Sequence, residues 1–388
     1  MNDVRRTIVI SEVFPPQVGG SGKWLWDIYK RQPVGNYTIL ANHHPHAGDT
    51  DPSYPQKVIR CNLQMQSRAV AKFSSITPYV SQIVRLWREV KKQRAETIHA
   101  SRPLSEGLVS AIVSKLTGVP FLLFVHGEDI NVAKTSRELS VLTRYVLKHA
   151  KVVIANSSYT ERKLADDWSV NKSKIELLNP GIDYAKFATD ASAPAQNTAS
   201  NDNLRIMTAG RLQKRKGHDT VIKAITGLRN HFNKIDYYIV GRGEEETALK
   251  QLASELGVSK NIHFLGEITD QEVIKQYRAC DIFVLANREI DGDVEGFGIV
   301  LLEAQACGKP VIAGNSGGTA DTLIDGETGF LVDATDESEL ISTIINHLSS
   351  DEARQRIGQR GQEYVSKHFC WRMLSNRVSN IFLDMQVK

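Results

Sequence analysis

Two glutamates separated by seven residues, Glu295 and Glu303, have a spacing and a setting that suit a ligand site. They lie within DGDVEGFGIVLLEAQACG, residues 291–308. The glycines Gly296 and Gly298 allow the backbone there to approach a ligand closely. A surface glutamate and a helix glutamate, each in an ion pair, would be the alternative interpretation of two isolated glutamates. The neighbouring glycines favour the ligand site.

The apolar run that follows predicts a helix over 298–306 whose first turn faces a phosphate. The amides of Ile299 and Val300 would have no acceptor inside this helix, and they would lie at the positive end of its dipole. Glu303 would lie roughly 7 Å further along the helix axis, which is the distance of a ribose from a diphosphate. Glu295, in the preceding loop, would face the group that the phosphate carries.

A second charged segment follows a predicted strand. Arg211 and Lys216 lie in GRLQKRKG, residues 210–217, and open α/β sheets bind ligands at the carboxyl ends of their strands. Arginine binds phosphate through two nitrogens and lysine adds a point charge, so the pair would offset the charge of about −2 on a departing nucleoside diphosphate. We interpret Lys214 and Arg215 as part of a solvated basic loop.

A single histidine, His126, follows the apolar run FLLFV and opens the segment HGED, residues 126–129. Its position at the end of a predicted strand leaves two interpretations open, an active-site histidine and a structural one. Glu128 and Asp129 add a further alternative, a carboxylate nucleophile of the kind that acts in glycoside chemistry.

The glycine-rich segment PPQVGGSGK, residues 15–23, looks at first like a P-loop but lacks two residues of that motif. Gln17 occupies the place of the first glycine, and Trp24 the place of the Ser or Thr after the lysine. Gly19 and Gly20 still predict a turn where backbone amides can approach a ligand. A tight turn without a ligand fits equally well. No cluster of His, Asp or Glu has the spacing of a metal site.

Short apolar or β-branched runs alternate with stretches of helical length, which is typical of parallel sheets covered by helices. The strands predicted in the first half are 7–10, 37–40, 97–99, 121–125 and 152–154. The strands predicted in the second half are 204–207, 237–240, 262–264, 282–285 and 310–312. Helices are predicted over 107–116, 137–148 and 352–385.

The length and composition fit a globular protein. A chain of 388 residues suffices for two or three domains with sizeable cores. A hydrophobic fraction of 41% and a charged fraction of 24% exclude bulk disorder and fibrous repeats. No run approaches the roughly 18 apolar residues of a membrane span, and the first apolar stretch is too short for a signal peptide. The four cysteines, at 61, 280, 307 and 370, are far apart, so we expect them to be reduced, in a cytoplasmic protein.

Charge is divided unevenly along the chain. Residues 1–190 carry 26 Lys and Arg against 17 Asp and Glu, and residues 191–388 carry 22 against 27. A basic first half joined to an acidic second half indicates two domains with different partners. The basic segment 85–94, RLWREVKKQR, fits a solvated helix face best; an anionic membrane surface is the alternative.

Five segments, in this order, resemble the retaining glycosyltransferases of family 4, which have the GT-B fold. They are the loop at 210–217, the glutamate motif at 295–303, ACGKPVI at 306–312, SGG at 316–318 and GETGFL at 326–331. The resemblance implies an α/β fold of two Rossmann-like β/α/β domains that face each other across a deep cleft. It also implies a C-terminal helix that crosses back to the N-terminal domain.

The expected domains follow from that resemblance. Residues 1–190 form an N-terminal Rossmann-like domain on the acceptor side, and 191–203 form a polar linker. Residues 204–365 form the C-terminal Rossmann-like domain that binds the nucleotide sugar. Residues 366–388 form the helix that packs back on the N-terminal domain.

The resemblance also implies roles for individual residues. Arg211 and Lys216 bind the diphosphate, Glu303 the ribose hydroxyls and Glu295 the sugar hydroxyls, while His126 contacts the sugar near its anomeric carbon. The catalytic set is therefore His126, Arg211, Lys216 and Glu295. The donor-binding set is Gly19, Gly20, Gly210, Phe297, Gly298, Ile299, Val300 and Glu303. No metal and no other cofactor is expected, because the cations and the helix amides stabilise the leaving group.

The expected activity is transfer of a hexose, with retention of configuration, to a lipid-linked or polysaccharide acceptor at the inner face of the cytoplasmic membrane. Within the family, the segments at 293–300, 303–308 and 313–318 are similar to those of the bacterial phosphatidylinositol mannosyltransferases and their relatives. Gly296 stands where many other members have proline. This similarity favours GDP-mannose as the donor over UDP-glucose or UDP-N-acetylglucosamine. The expected partners are a nucleotide sugar and a glycan or lipid-linked acceptor, and no nucleic acid. A nucleotide-sugar-binding subunit without turnover, and an epimerase or dehydrogenase on a similar fold, are the alternatives from other classes.

Overall fold

The computed structural model describes residues 6–17, 19–65, 73–188 and 203–385, and the chain forms two compact units. Unit 1 comprises the described residues up to Pro180 together with those from Leu374 onward. Unit 2 comprises those from Gly181 to Met373. The predicted linker 191–203 lies outside the described residues except for Asn203, which begins a strand.

In the part of unit 1 that the structure describes, seven parallel strands form one sheet, in the order β3-β2-β1-β4-β5-β6-β7. The strands are β1 (Thr7–Ser11), β2 (Tyr37–Asn42), β3 (Lys57–Cys61), β4 (Thr97–Ala100), β5 (Phe121–Val125), β6 (Val152–Ala155) and β7 (Ile175–Leu177). The helices are α1 (Gly20–Tyr29), α2 (Ala47–Thr50), α3 (Phe73–Gln93), α4 (Leu108–Thr117), α5 (Glu128–Lys134), α6 (Arg137–His149) and α7 (Ser158–Asp166).

The described residues of unit 2 form a six-stranded parallel sheet, in the order β10-β9-β8-β11-β12-β13. Its strands are β8 (Asn203–Ala209), β9 (Lys234–Val240), β10 (Ile262–Gly266), β11 (Ile282–Leu285), β12 (Val311–Gly314) and β13 (Phe330–Val332). Its helices are α8 (Tyr184–Phe187), α9 (His218–Leu228), α10 (Glu246–Glu255), α11 (Asp270–Ala279), α12 (Ile299–Ala306), α13 (Ser338–His347) and α14 (Asp351–His368). A last helix, α15 (Trp371–Asp384), begins in unit 2 and continues in unit 1.

The central strands explain why alternating runs predict this fold. Every residue of β5, FLLFV, is buried, as is every residue of β11, IFVL. A parallel strand covered by helices on both faces has no solvent side, so it needs an uninterrupted apolar run. The ten predicted strands all coincide with or overlap observed ones, and the expectation of two Rossmann-like parallel-sheet domains is confirmed.

Three observed strands are absent from the sequence prediction, namely β3, β7 and β13, and each lies at the edge of its sheet. An edge strand has one strand neighbour and needs less apolar sequence than a central one. Two of them have only three residues, and the third includes the charged residues Lys57 and Arg60. Neither a short run nor a mixed one stands out as a strand pattern.

The predicted helical segment over 352–385 is helical, but it forms two helices, because the helix is interrupted between α14 and α15. The amide of Ile182 donates to the carbonyl of Phe369 at 2.9 Å, and the amide of Trp371 donates to the carbonyl of Ile182 at 3.3 Å. This short pairing takes the backbone groups that a continuous helix would use for itself. The predicted start of the last segment, at 366, falls inside α14.

The second part of α15 packs within unit 1. The ring of Phe382 lies 4.6 Å from that of His99, 5.9 Å from that of Tyr29 and 6.2 Å from that of Tyr37. The ammonium of Lys151 also donates to a carbonyl near the end of the helix at 2.8 Å. The last helix therefore completes the core of the first unit. Among the helices that the structure describes, none is both long and apolar enough to cross a bilayer.

Candidate active site

The loop before α12 carries the first glutamate of the motif, and the structure confirms the predicted helix start. Gly298 is the residue before the helix, with φ of 91°, and Ile299 is its first residue. Ile299 and Val300, whose amides belong to the first turn of this helix, are half-buried. Phe297 is buried, with its ring 6.0 Å from that of Phe369, so only its backbone is available to a ligand.

The backbone of Glu295 is fixed by the SGG turn after β12. Its carbonyl accepts a hydrogen bond from the amide of Gly318 at 2.8 Å. A Cβ at Gly317, where φ is 68°, would lie 2.1 Å from the same carbonyl oxygen. Only glycine permits this approach, so the SGG segment is needed to place the glutamate.

The carboxylate of Glu295 is held by two cations that come from one loop after β8. Its Oε2 accepts from Nη1 of Arg215 at 2.7 Å and from the ammonium of Lys216. All three side chains are largely buried, with 13%, 7% and 11% of the carboxylate, guanidinium and lysine side chains exposed. Burial raises the pKa of Glu295, but Lys216 and Arg215 outweigh it and lower the pKa to about 2. The glutamate is therefore ionised at neutral pH.

The prediction that Arg215 lies in a solvated loop is wrong. The residue is only 6% exposed, and its Nε lies 3.0 Å from Oδ2 of Asp293. Its guanidinium thus joins two carboxylates of the loop that precedes α12, and its planar, forked group suits that geometry. The signal in the sequence is the pair of acidic residues at 293 and 295, because Glu295 is buried and a buried carboxylate needs a cation.

The neighbouring basic residues differ in exposure. Lys214 is exposed, as predicted, and Arg211 is exposed as well. Lys216 lies beside Gly210, where a Cβ would be 3.9 Å from the ammonium. Gly217 follows it, and a Cβ there would lie 1.7 Å from the carbonyl oxygen of Ala286 at the end of β11. This close approach brings the loop after β8 against the loop after β11, which carries the glutamate.

Glu303, on α12, is largely buried, with 7% of the residue exposed. Its Oε2 accepts from the hydroxyl of Tyr277, on α11, at 2.9 Å. Tyr277 is fully buried, and burial and the nearby Glu303 raise its pKa well above the usual value, so the hydroxyl remains a donor. Tyr277 is a partner of Glu303 that sequence reasoning missed, because nothing in a lone buried tyrosine indicates its partner.

His126 follows β5 in unit 1, at the carboxyl edge of that sheet. Its Nε2 lies 2.8 Å from the carbonyl oxygen of Ser101, after β4, and the ring meets that of Trp24 edge-on at 5.5 Å. A carbonyl can only accept, so Nε2 carries a hydrogen and Nδ1 of the neutral ring has the lone pair. Burial lowers the pKa of His126, which keeps the ring neutral.

Asp129, one of the two carboxylates considered as alternative nucleophiles, accepts hydrogen bonds from backbone amides. Its carboxylate accepts from the amide of His126 at 3.2 Å and from that of Ile130 at 2.8 Å. Asp129 lies in the first turn of α5, where an acidic side chain is favourable. Burial raises the pKa of Asp129. The contacts fit a structural role for this residue.

Gly19 and Gly20 lie where β1 gives way to α1. Gly19 precedes the helix and Gly20 is its first residue. A Cβ at Gly19 would lie 3.0 Å from Cγ1 of Val13, whereas one at Gly20 would meet nothing within 4 Å. The first glycine thus packs against the loop, and the second faces open space. No group of three or more His, Cys, Asp or Glu with metal-binding geometry occurs in the part of the chain that the structure describes.

Comparison with known proteins places the chain in a class. A family model described as "Glycosyl transferases group 1" matches residues 190–364, and one described as "Glycosyltransferase Family 4" matches residues 18–186. The segment at 18–186 includes Gly19, Gly20 and His126, and the segment at 190–364 includes the glutamate motif. The chain belongs to the family 4 glycosyltransferases, which have the GT-B fold, and it is a hexosyltransferase.

Individual relatives sharpen that placement. The chain is 30% identical over 392 residues, covering 98% of each protein, to a GDP-mannose-dependent monoacylated alpha-(1-6)-phosphatidylinositol monomannoside mannosyltransferase of Corynebacterium glutamicum. It is 27% identical over 380 residues to a GDP-mannose-dependent alpha-(1-6)-phosphatidylinositol monomannoside mannosyltransferase of Mycolicibacterium smegmatis, covering 96% of this chain and 97% of the relative.

Solved structures agree on the fold. HepE of Anabaena in complex with UDP superposes with a TM-score of 0.81 at 19% identity, covering 98% of this chain and 100% of that one. Sucrose-phosphate synthase of Thermosynechococcus elongatus superposes with a TM-score of 0.77 at 21% identity, covering 98% and 99%. At these identities the likeness concerns the fold alone.

Proposed function

We propose that this chain transfers mannose from GDP-mannose, with retention of configuration and without a metal ion, to a hydroxyl of a lipid-linked or polysaccharide acceptor. The observation that carries the proposal is the buried Glu295 with its two cations, Arg215 and Lys216, beside the first turn of α12. The GDP-mannose dependence and the glycolipid acceptors named for the relatives at 30% and 27% identity support the choice of substrates.

In this proposal unit 2 binds the leaving group. Lys216 and the exposed Arg211 contact the diphosphate oxygens, and the amides of Ile299 and Val300 complete the anion site. These groups stabilise the charge that develops as the glycosidic bond breaks, which is the task that a divalent cation performs in other enzymes. We therefore infer metal independence from the basic side chains and helix amides that can stabilise the leaving group.

Glu295 receives the sugar. Because its pKa is near 2, Glu295 is ionised at any physiological pH. Its carboxylate can therefore accept hydrogen bonds from the hydroxyls of the transferred sugar. Arg215 is the cation that remains with Glu295 while Lys216 turns to the diphosphate, because the guanidinium also binds Asp293 and is the more deeply buried of the two. Glu303, held by Tyr277, takes the ribose hydroxyls.

His126 contributes a neutral ring whose Nδ1 lone pair accepts from a sugar hydroxyl. The acceptor hydroxyl attacks the anomeric carbon on the face that the diphosphate leaves. The new carbon–oxygen bond forms as the old one breaks, and the leaving phosphate oxygen takes the acceptor's proton. No side chain forms a covalent intermediate in this scheme.

A direct assay tests the donor and the stereochemistry together. The purified full chain is incubated with radiolabelled GDP-mannose, UDP-glucose or UDP-N-acetylglucosamine and a phosphatidylinositol mannoside, with EDTA or with Mg²⁺. We expect mannose transfer with α configuration from GDP-mannose that EDTA does not reduce. Transfer only from a UDP-sugar would overturn the donor assignment, and a strict Mg²⁺ requirement would overturn metal independence. Binding of donor without transfer or hydrolysis would support the non-catalytic alternative.

The proposal includes a membrane surface for the acceptor, and α3 supplies it. Ile76, Val80, Val84 and Trp87 are 41%, 52%, 38% and 40% exposed, and their spacing places them on one stripe of the helix. Exposed arginines and lysines at 85, 88, 91 and 92 flank that stripe. An apolar stripe beside a basic face suits binding to an anionic bilayer surface. The cytoplasmic leaflet is anionic, so we place the protein at the inner face of the cytoplasmic membrane.

Vesicle binding tests this surface. We expect the full chain to co-sediment with vesicles that contain phosphatidylglycerol and not with pure phosphatidylcholine. Exchange of Val80 and Trp87 for Ser should abolish binding while transfer to a water-soluble mannoside is kept. Equal binding to both kinds of vesicle, or by the variant, would refute the assignment of α3. The matched control is Val141→Ser, since Val141 is 61% exposed on α6.

A further inference from the structure

A buried carboxylate in unit 1, Glu106, has no part in the chemistry described above. It lies in the turn Pro103–Gly107 between β4 and α4, and it is 0% exposed. A carboxylate without access to water needs several donors to remain in the interior. The identity of those donors indicates what the residue does.

The first donor leads toward His126. The hydroxyl of Ser101 donates to Oε1 of Glu106 at 2.7 Å. The carbonyl oxygen of that same serine lies 2.8 Å from Nε2 of His126. The carboxylate therefore orients the residue whose carbonyl fixes the histidine ring and selects which of its nitrogens carries the hydrogen.

The second donor leads toward the glycine-rich turn. The amide of Glu12, which follows β1 directly, donates to the same Oε1 at 2.9 Å. The next residue, Val13, packs against the turn, since a Cβ at Gly19 would lie 3.0 Å from its Cγ1 and one at Gly22 would lie 2.7 Å from its carbonyl oxygen. The carboxylate thus also fixes the start of the loop that carries Gly19 and Gly20.

The remaining contacts keep the carboxylate in place. The hydroxyl of Ser105 donates to Oε2 at 3.4 Å, and Nε of Arg102 lies 3.7 Å from Oε1. The amide of Gly107 donates to the carbonyl of Arg102 at 2.9 Å, which closes the turn around Glu106. One oxygen atom therefore links the loops after β1 and β4, and through Ser101 the loop after β5.

We propose that Glu106 is a positioning residue that holds His126 and the glycine-rich turn in register with each other for sugar transfer. The proposal rests on the function proposed above, because it assumes that both elements contact the donor sugar. It assigns Glu106 no contact with substrate. Its expected signature is a loss of turnover without a loss of nucleotide affinity, since the groups that bind the diphosphate all lie in unit 2.

Kinetics of three variants test the proposal. We expect Glu106→Ala to lower kcat for mannose transfer about 100-fold, which is the cost of misplacing a reacting group by about 1 Å. The affinity for GDP, measured by calorimetry, should not change. Glu106→Gln should keep most of the activity, because its amide oxygen still accepts from Ser101 and Glu12. Ser101→Ala, a milder change, should show a smaller loss of kcat in the same direction.

The matched control is Thr97→Val. The Thr7 and Thr97 hydroxyls form a buried hydrogen bond at 2.7 Å between the amino ends of β1 and β4, the two strands whose carboxyl ends Glu106 links. A wild-type kcat in this variant would show that removing a hydrogen bond between the amino ends of β1 and β4 does not affect turnover. Equal losses in Thr97→Val and Glu106→Ala would overturn the proposal, as would wild-type kcat in Glu106→Ala.

An NMR experiment tests the positioning of His126 independently of the proposed function. In protein with isotope-labelled histidine, NMR should show His126 as the Nε2–H tautomer, assigned by its absence from His126→Gln. In Glu106→Ala we expect that signal to average between the two tautomers. An unchanged signal would overturn the positioning of the ring. A wild-type chain without transferase activity would instead refute the proposed function, and the NMR result would still stand.

Discussion

The two units place their candidate residues at the same edge of similar sheets but prepare them differently. In unit 2 the side chains are charged and pair with one another, as Glu295 does with Arg215 and Lys216. In unit 1 the ring of His126 is neutral and is held by a backbone carbonyl, with a carboxylate one residue further away. The difference follows from burial, because a buried charge needs an opposite charge beside it, whereas a buried neutral ring needs only a hydrogen-bond partner.

The largest expected effects come from substitutions in the charged cluster of unit 2. Lys216→Ala should lower kcat/KM for transfer about 1,000-fold, because it removes a cation from the developing charge of the leaving group. Glu295→Ala should abolish transfer while the fold survives. The control is Lys214→Ala, which removes the same charge from an exposed position in the same loop and should leave activity unchanged. Similar losses in both lysine variants would show that only the net charge of the loop matters.

The second prediction distinguishes a residue of this loop that stabilises the fold from one that is proposed to contact the diphosphate. Arg215→Ala should lower the free energy of unfolding by about 3 kcal/mol, because it removes one of the two cations that compensate the buried charge of Glu295. Arg211→Ala removes an exposed guanidinium and should change stability by less than about 0.5 kcal/mol while it impairs transfer. Urea denaturation of both variants measures the difference. A stable Arg215→Ala protein would contradict the supporting role.

The pH dependence of stability should distinguish the neutral residue from the charged one. The folded-state pKa of His126 is lowered by burial, so its contribution is complete above about pH 6.5 and declines as the pH falls, by about 1.4 kcal/mol per pH unit at most. The pKa of Glu295 falls from 4.5 to about 2, so its contribution persists to about pH 4.5 and is lost only below that.

Denaturation curves between pH 7 and pH 5 check the sign. Wild-type protein should lose stability over this interval, and His126→Gln should lose less of it. The buried His99 and His218, with pKa values lowered by burial to about 3 and about 4, contribute in the same direction. Glu295→Gln should have the wild-type slope here, and a flatter one would contradict the assignment.

The smallest expected effect concerns the other glutamate. Tyr277→Phe removes the hydrogen bond to Glu303 and should weaken nucleotide-sugar binding by about 1 kcal/mol, or about fivefold in KM, with kcat unchanged. The matched control is Tyr237→Phe, which removes another buried hydroxyl of unit 2, one that donates to Thr208. A fall in kcat for Tyr277→Phe would indicate that the tyrosine acts on the sugar and not through the ribose ligand.

The sequence predicts the fold where the strands are central and predicts less where they lie at an edge. Buried runs such as FLLFV have to be apolar throughout, whereas β3 combines Lys57 and Arg60 with valine and isoleucine because one side of it lacks a strand neighbour. The helix break at Cys370 depends on pairing with Ile182, which is distant in sequence. Local patterns do not contain that information.

For the site, spacing predicts residue types but not their partners. The start of α12 after Gly298 follows from local glycine and apolar patterning, and the structure confirms it. The burial of Arg215 depends on Asp293 and Glu295, which approach it only after folding. Glu106 and Tyr277 belong to no motif, and their contacts join separate strands and helices. The roles assigned to His126, Arg211, Lys216, Glu295 and Glu303 stay predictions.

The final helix has a consequence for how the protein is made. The described part of unit 1 includes residues from Leu374 onward, and Phe382 covers the rings of Tyr29, Tyr37 and His99. A ribosome synthesises these residues after unit 2, so the first unit cannot close its core while the second is still emerging. Fragments that end before Phe382 would expose an aromatic surface, and expression of the first unit alone would need that helix supplied as a separate peptide.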